Sequence, residues 1–293
     1  MPFFDLENGM TSRTEPRAPS RTALRMALQR AAHQLLDEPR VLDDPYALRI
    51  LGPEALDMAA DPYRYNDPMS RPLRAAIVGR SRWAEGALEQ AVAHGLQRAV
   101  LLGAGLETYC LRAPPGLQLL EIDHPATQNW KRRQLELAGL LLPAGAVLQP
   151  CDLSRQDLGD CLSSAGVLPD EPVCFVALGL TPYLHADHIR DLLACVARYP
   201  AGSSILFDFR VDPAALDPIE RMLDGAMAQQ CAAAGEPWLS AYHPQDMDGL
   251  LARLGFRCRT LWGTEELNAR YFHRRRDGLQ SAGGGLRLMR ADV

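Results

Sequence analysis

The stretch Val100–Thr127, VLLGAGLETYCLRAPPGLQLLEIDHPAT, decides the fold. An apolar run, Ala99 to Leu102, ends on Gly103-Ala104-Gly105, and a second, Leu117 to Ile122, ends on Asp123. Continuous apolar runs of this length mark parallel strands buried on both faces. Glycines at the carboxyl end of such a strand let the backbone pass close to a ligand where a Cβ would collide. An acidic residue closing the next strand, 18 residues after Gly105, suits the hydroxyls of a ribose. The pattern predicts an adenosine-containing cofactor lying across the ends of two adjacent strands.

The identity of that cofactor follows from a departure. A dinucleotide fingerprint needs Gly-x-Gly-x-x-Gly, with the pyrophosphate at the following helix N-terminus. Here Thr108 stands at the third glycine, and Glu107 puts a negative charge where phosphates would sit. Like charges repel more strongly in a partly dry cleft. A cationic nucleoside without phosphate, S-adenosylmethionine, fits better than a nicotinamide dinucleotide. The rival readings are a nicotinamide-dependent oxidoreductase and a cofactor-binding scaffold that has lost catalysis.

Composition narrows the class. At 293 residues and 47% hydrophobic content, the chain is long enough to bury a large core as one domain. Seven scattered cysteines without a C-x-x-C suggest reduced thiols in a cytoplasm rather than a disulfide framework or zinc site. No apolar run approaches a membrane span, and residues 1–20 lack the apolar segment of a secretory signal. A net charge of −5 argues against a nucleic-acid partner. Lys131 is the single lysine among many arginines, as expected of a G+C-rich bacterial genome. The expected partner is a small-molecule acceptor, with no nucleic acid and no membrane.

Strand and helix patterns alternate along the chain. Residues 1–20 read as a mobile arm, and Thr22–Leu36 as a helix that Pro39 stops. Proline turns over 40–72 predict short helices and loops over a cleft. Further strands are expected near 145–151, 172–179, 203–209, 256–262 and 286–290, with helices near 73–95, 125–140 and 186–198. Such alternation implies a parallel sheet. Asp212–Glu236 reads as a helical insertion with an apolar face that includes Met222 and Met227.

GAGLETYCLR (103–112) followed by EIDHPATQNWK (121–131) resembles the leucine carboxyl methyltransferase-like family, in its bacterial branch. The similarity continues in RTALRMALQRA (21–31), DDPYALRILGP (43–53), GLTPYL (179–184), GEPW (235–238) and RYFHRRRDGL (270–279). The resemblance implies an α/β fold of the class I methyltransferase, Rossmann-like type: a seven-stranded, mostly parallel sheet with helices on both faces and a helical cap. Residues 21–293 would form one domain, with cap elements near 21–72 and 212–245. It further implies that Arg80 holds the cofactor carboxylate, Asp152 meets the adenine amino group and Leu153 covers the ring. Glu107, in place of the usual aspartate, would pair with the cofactor ammonium. Leu178 stands where eukaryotic relatives carry a glutamate.

From the strand ends, Gly103 and Gly105 should lie under the methionine part of the cofactor and Asp123 against its ribose. Asp152 also reads as an N-cap for a helix over Leu153–Leu162. Tyr109 and Tyr183 are candidates for the acceptor pocket, with Met222 and Met227 on a lid formed by residues 1–67 and 212–243. His124 invites assignment as a base, yet a His-Pro pair opening a helix suits capping equally well. Arg274-Arg275-Arg276 reads as a solvated helix face. No His, Cys and Asp cluster has metal-ligand spacing. The expected activity is O-methylation of a carboxylate or hydroxyl on a small molecule, for example a polyketide-type natural product.

Overall fold

The computed structural model of the chain describes residues 20–293; the expected arm falls, but for Ser20, outside them. Seven strands form one sheet: β1 (Arg98–Leu102), β2 (Gln118–Asp123), β3 (Ala146–Pro150), β4 (Cys174–Ala177), β5 (Ser204–Arg210), β6 (Arg259–Trp262) and β7 (Leu286–Asp292). Their spatial order is β3-β2-β1-β4-β5-β7-β6. The first five pair in parallel, and β7 runs antiparallel to both β5 and β6. This is the class I methyltransferase sheet that the sequence implied.

The apolar runs have a structural cause. Val100 and Leu102 of β1 point into one core with Ile122, Phe175 and Phe207. Ala99 and Leu101 point the other way, into a second core with Trp83, Leu88, Leu119 and Val176. Alternate residues serve opposite faces and both faces are covered, so the strand is apolar from Ala99 to Leu102. The connections run outward from β1 in both directions, which leaves a crevice at the carboxyl ends of β1 and β4.

The helices are α1 (Arg21–Leu36), α2 (Pro53–Ala60), α3 (Ser70–Ala93), α4 (Pro125–Leu137), α5 (Leu158–Ser164), α6 (Ala186–Val196), α7 (Pro218–Ala233), α8 (Pro244–Arg253) and α9 (Thr264–Leu267). A single π turn, Asn268–Phe272, follows α9. Ser20 caps α1 by accepting from Ala23 N at 3.0 Å, and Asp217 caps α7 by accepting from Ile219 N and Glu220 N. As the proline turns predicted, only short helical pieces lie between α1 and α3.

Two ion-paired joints fix the cap. Buried Asp37 accepts from Arg74 Nε at 2.7 Å and Nη2 at 2.9 Å, joining α1 to α3. Asp224 and Glu220 on α7 receive forked bonds from Arg210 of β5 and Arg287 of β7. Paired guanidinium–carboxylate bonds of this kind are strong and directional.

Three expectations need correction. The helix after β3 begins at Leu158 and is capped by Asp157, which accepts from Asp160 N at 3.0 Å; Asp152 is not its cap. The strand expected near 256–262 begins only at Arg259, flanked by helices α8 and α9, for which the sequence reading made no provision. Residues 274–276 are not helical: Arg274 has φ 54°, and Arg275 is held by Asp277 and donates to Pro39 O at 2.6 Å. Among the described residues no helix is long and apolar enough to cross a membrane.

Candidate active site

The glycine loop leaves β1 with its first two N–H groups donated back to Ile122 O, from Gly103 at 2.8 Å and Ala104 at 3.2 Å. Gly103 (φ +65°) and Gly105 (φ +53°) occupy the left-handed region that side chains disfavour. A Cβ at Gly103 would also approach Leu180 to 3.0 Å, and one at Gly105 would approach Ala23 to 3.2 Å. The loop is therefore squeezed between the β4 side and α1. Asp123 closes β2 and holds the loop: Oδ2 accepts from Gly105 N at 2.5 Å and Oδ1 from His124 N at 2.6 Å. Burial raises the Asp123 carboxyl above its ordinary range, against those two bonds. Each carboxylate oxygen keeps a further lone pair for a ribose hydroxyl.

Behind the loop lies a buried network of charges. Lys131 of α4 pairs with Glu121 of β2 and donates to Glu107 O at 2.5 Å, while Gln128 donates to Glu121 O at 3.0 Å. Burial alone would lower the Lys131 ammonium pKa, but Glu121 raises it above the ordinary value. The spacing Glu121…Gln128…Lys131 thus couples strand, helix and loop. Thr108, in the place of a third glycine, is fully buried and donates to Asp44 Oδ2 at 2.6 Å. The position a pyrophosphate glycine would occupy is used to anchor the cap.

Glu107 lies against this network and still lines the cavity. Arg30 approaches its carboxylate to 3.7 Å and Arg112 to 3.6 Å. Burial pushes its carboxyl up, but Arg30 and Arg112 outweigh that and hold it below the ordinary range. Arg112 also forks onto Glu85, whose carboxyl is pushed up to about 7, chiefly by burial.

On the other side of the crevice, Arg80 of α3 reaches Asp208 of β5. Asp208 is fully buried; Oδ2 accepts from Arg80 Nη1 at 2.7 Å and Oδ1 from Gly179 N at 2.7 Å. Asp208 was not singled out in the sequence. Its signal was present, an acid interrupting the apolar run SILFDF near the end of a central strand.

These elements open into one cavity of about 800 Å³. Gly103, Gly105, Glu107, Asp123 and Arg80 all line it, as do Tyr183 and Met227. Asp152 and Leu153 do not. Asp152 instead closes a turn, accepting from Ser154 N at 3.1 Å and Ser154 Oγ at 2.5 Å, and Leu153 packs against the core. Ser154 is the residue of that turn which meets the cavity. Tyr109 is buried in the core beside Trp83 with Arg112 over its ring, away from the cavity. Met222 is 66% exposed on the outer side of α7. It lies five residues from Met227, and five residues rotate a helix by about 140°, so one faces out when the other faces in. His124 is a cap: its Nδ1 accepts from Ala126 N at 3.2 Å.

A strap after α7 roofs the cavity. Glu236 accepts from Ser20 Oγ at 3.0 Å, Arg21 N at 2.7 Å, Thr22 N at 3.2 Å and the Thr22 hydroxyl. Leu239 N donates to Pro182 O at 2.6 Å and Ser240 Oγ to Thr181 O at 3.0 Å. The amino-terminal helix and the α7 segment are thus joined over the strand ends by one carboxylate. Burial pushes the Tyr183 hydroxyl beneath this roof up to about 12.

Residues 23–197 match the family model for leucine carboxyl methyltransferase. YktD of Bacillus subtilis, whose name places it among S-adenosyl-L-methionine-dependent methyltransferases, is 28% identical over 89% of this chain and 94% of its own. FRAAL3718 of Frankia alni, named in the same class, is 30% identical over 85% of this chain and 86% of its own. A crystal structure from Thermobifida fusca, described as a methyltransferase, superposes with a TM-score of 0.58 at 14% identity. That superposition covers 94% of this chain and 95% of that one.

Proposed function

The chain belongs to the leucine carboxyl methyltransferase family and is an S-adenosylmethionine-dependent methyltransferase, and on that premise we propose that it O-methylates a small apolar molecule, preferentially on a carboxylate. The cavity suits the cofactor: Asp123 has free lone pairs for the ribose, and Arg80 is a guanidinium held in place for a carboxylate. Bound S-adenosylmethionine supplies an electrophilic methyl, whose bond to sulfur breaks with the electron pair left on sulfur as the acceptor oxygen bonds to carbon. The protein's part is alignment and exclusion of water.

One observation carries the choice of acceptor. Among the described residues, every acid or imidazole that lines the cavity is already engaged in the structure. Glu107 faces two arginines, Asp123 takes two N–H groups and His124 caps α4. Asp208 holds Arg80 and Gly179, and Glu236 holds α1. A phenol, with a pKa near about 10, would need one of them as base. A carboxylate is already ionised at neutral pH and needs none. The breadth and apolar walls of the cavity favour a natural-product acid such as a polyketide.

Incubation with methyl-labelled cofactor and extracts of bacterial metabolites tests this reading. The expected product carries one added methyl group and loses it on mild alkaline hydrolysis, as an ester does. An alkali-stable ether would move the acceptor to a hydroxyl, and label on nitrogen or carbon would overturn O-methylation.

A further inference from the structure

Among the described residues, four arginines line the cavity wall: Arg21, Arg25, Arg30 and Arg80. Arg30 and Arg80 are matched by Glu107 and Asp208, and Arg21 is exposed. Arg25 is different. It is half-buried, and its side-chain polar contact among the described residues is Met227 Sδ, with Nη1 at 3.8 Å. A thioether is a weak acceptor, and no carboxylate among the described residues lies within ion-pairing distance of Arg25. A guanidinium drawn against apolar walls without a counter-charge gains strongly from an anion brought to it.

Its surroundings say what else that anion is attached to. Met227 and Cys231 lie one turn apart on the same side of α7, and the Tyr183 hydroxyl sits 3.6 Å from Cys231 Sγ. Arg25 and Tyr183 therefore flank a single stripe of α7, with Leu223 and Trp238 also in the cavity wall. The Trp238 Nε1–H is buried beside the Tyr183 hydroxyl and makes no well-formed hydrogen bond among the described residues, while Arg210 lies over the ring at 5.0 Å. A cation without a carboxylate beside it among the described residues, an indole N–H donor and apolar side chains between them describe a receptor for an amphipathic acid.

We propose that Arg25 is the acceptor-anion subsite: it receives the carboxylate of an apolar acid whose body lies along Met227, Tyr183 and Trp238. This rests on the O-methylation reading and adds the residue that selects the acid. Methylation removes the charge Arg25 recognises, so the site binds the acid better than its ester and lets the product go.

The test uses binding as its readout. The intact protein saturated with S-adenosylhomocysteine is titrated calorimetrically with decanoic acid and 2-naphthoic acid, with their methyl esters, and with decanol and 2-naphthol. The acids should bind at least about tenfold more tightly than their esters or alcohols, the scale of a hydrogen bond to a charged group. Arg25→Met should erase that preference while S-adenosylhomocysteine affinity stays unchanged, and Arg25→Lys should restore part of it. Equal binding of acid and ester, a preference that survives Arg25→Met, or no binding of any probe with the cofactor product in place overturns the proposal. Label transfer to 2-naphthol without preference for acids would remove the Arg25 subsite and leave O-methylation standing. Label transfer to nitrogen would remove both.

Discussion

The two ends of the cavity are built by opposite means. At the cofactor end, residues 103–131 form a contiguous unit in which Glu121, Lys131, Asp123 and the glycine loop hold one another. At the acceptor end, α1, α3, α7, the strap and the strand ends meet from segments up to 216 residues apart. Behind the glycine loop each charge faces an opposite one, though among the described residues Glu121 Oε1, Gln128 Oε1 and the Nε atoms of Arg30 and Arg112 have no hydrogen-bond partner; the acceptor end presents apolar helix faces and, among the described residues, an arginine with no carboxylate beside it. A charge-paired frame suits a ligand that never changes. A loosely matched wall suits one that differs between relatives.

The largest effect is expected at Lys131. Lys131→Met would leave Glu121 buried without its partner, and removal of one member of a buried pair costs about 3–5 kcal/mol. Urea unfolding should show that loss; a stability within about 0.5 kcal/mol of the parent would mean that the network does not frame the loop. Next in size, Asp123→Ala should lower S-adenosylhomocysteine affinity about tenfold or more, since a bond to a charged acceptor contributes about 1.5–3 kcal/mol. Calorimetry on the folded variant decides it, and unchanged affinity would place the ribose contact elsewhere.

The acceptor end should respond more locally. Glu236→Gln weakens the clasp on α1, with an effect near the ~1 kcal/mol of a helix cap. Hydrogen exchange should rise at residues 21–24 and along the strap while the 103–131 unit stays protected, and a uniform rise would deny the two ends their independence. The smallest effect separates two methionines. Met227→Ala should change which acceptors are methylated, whereas Met222→Ala on the exposed side should leave selectivity and stability within about 0.5 kcal/mol of the parent. If Met222→Ala shifts selectivity as strongly, α7 turns its other face to the acceptor.

Legibility followed the same division. Strands β1, β2, β4 and β5 were readable because burial on both faces leaves mostly apolar residues in them, and Gly103, Gly105 and Asp123 because they lie at the ends of β1 and β2. The role of Asp208 is not legible in the sequence because it depends on Arg80, 128 residues away. Tyr109 and Met222 were expected at the pocket from local composition, which does not reveal which way a docked residue faces. Asp152 looked like a helix cap until the helix proved to start one turn later, at Asp157.

The sequence by itself determined the sheet and the cofactor loop, because both are written in short-range periodicity and in the residues that close buried strands. Only the tertiary structure decided that Lys131 pairs with Glu121, that Thr108 anchors the cap, that Glu236 clasps α1 and that Arg25 meets Met227 at the cavity wall. Those contacts join segments far apart in the chain, and helix rotation and docking, set by packing of the whole core, choose which side chains meet.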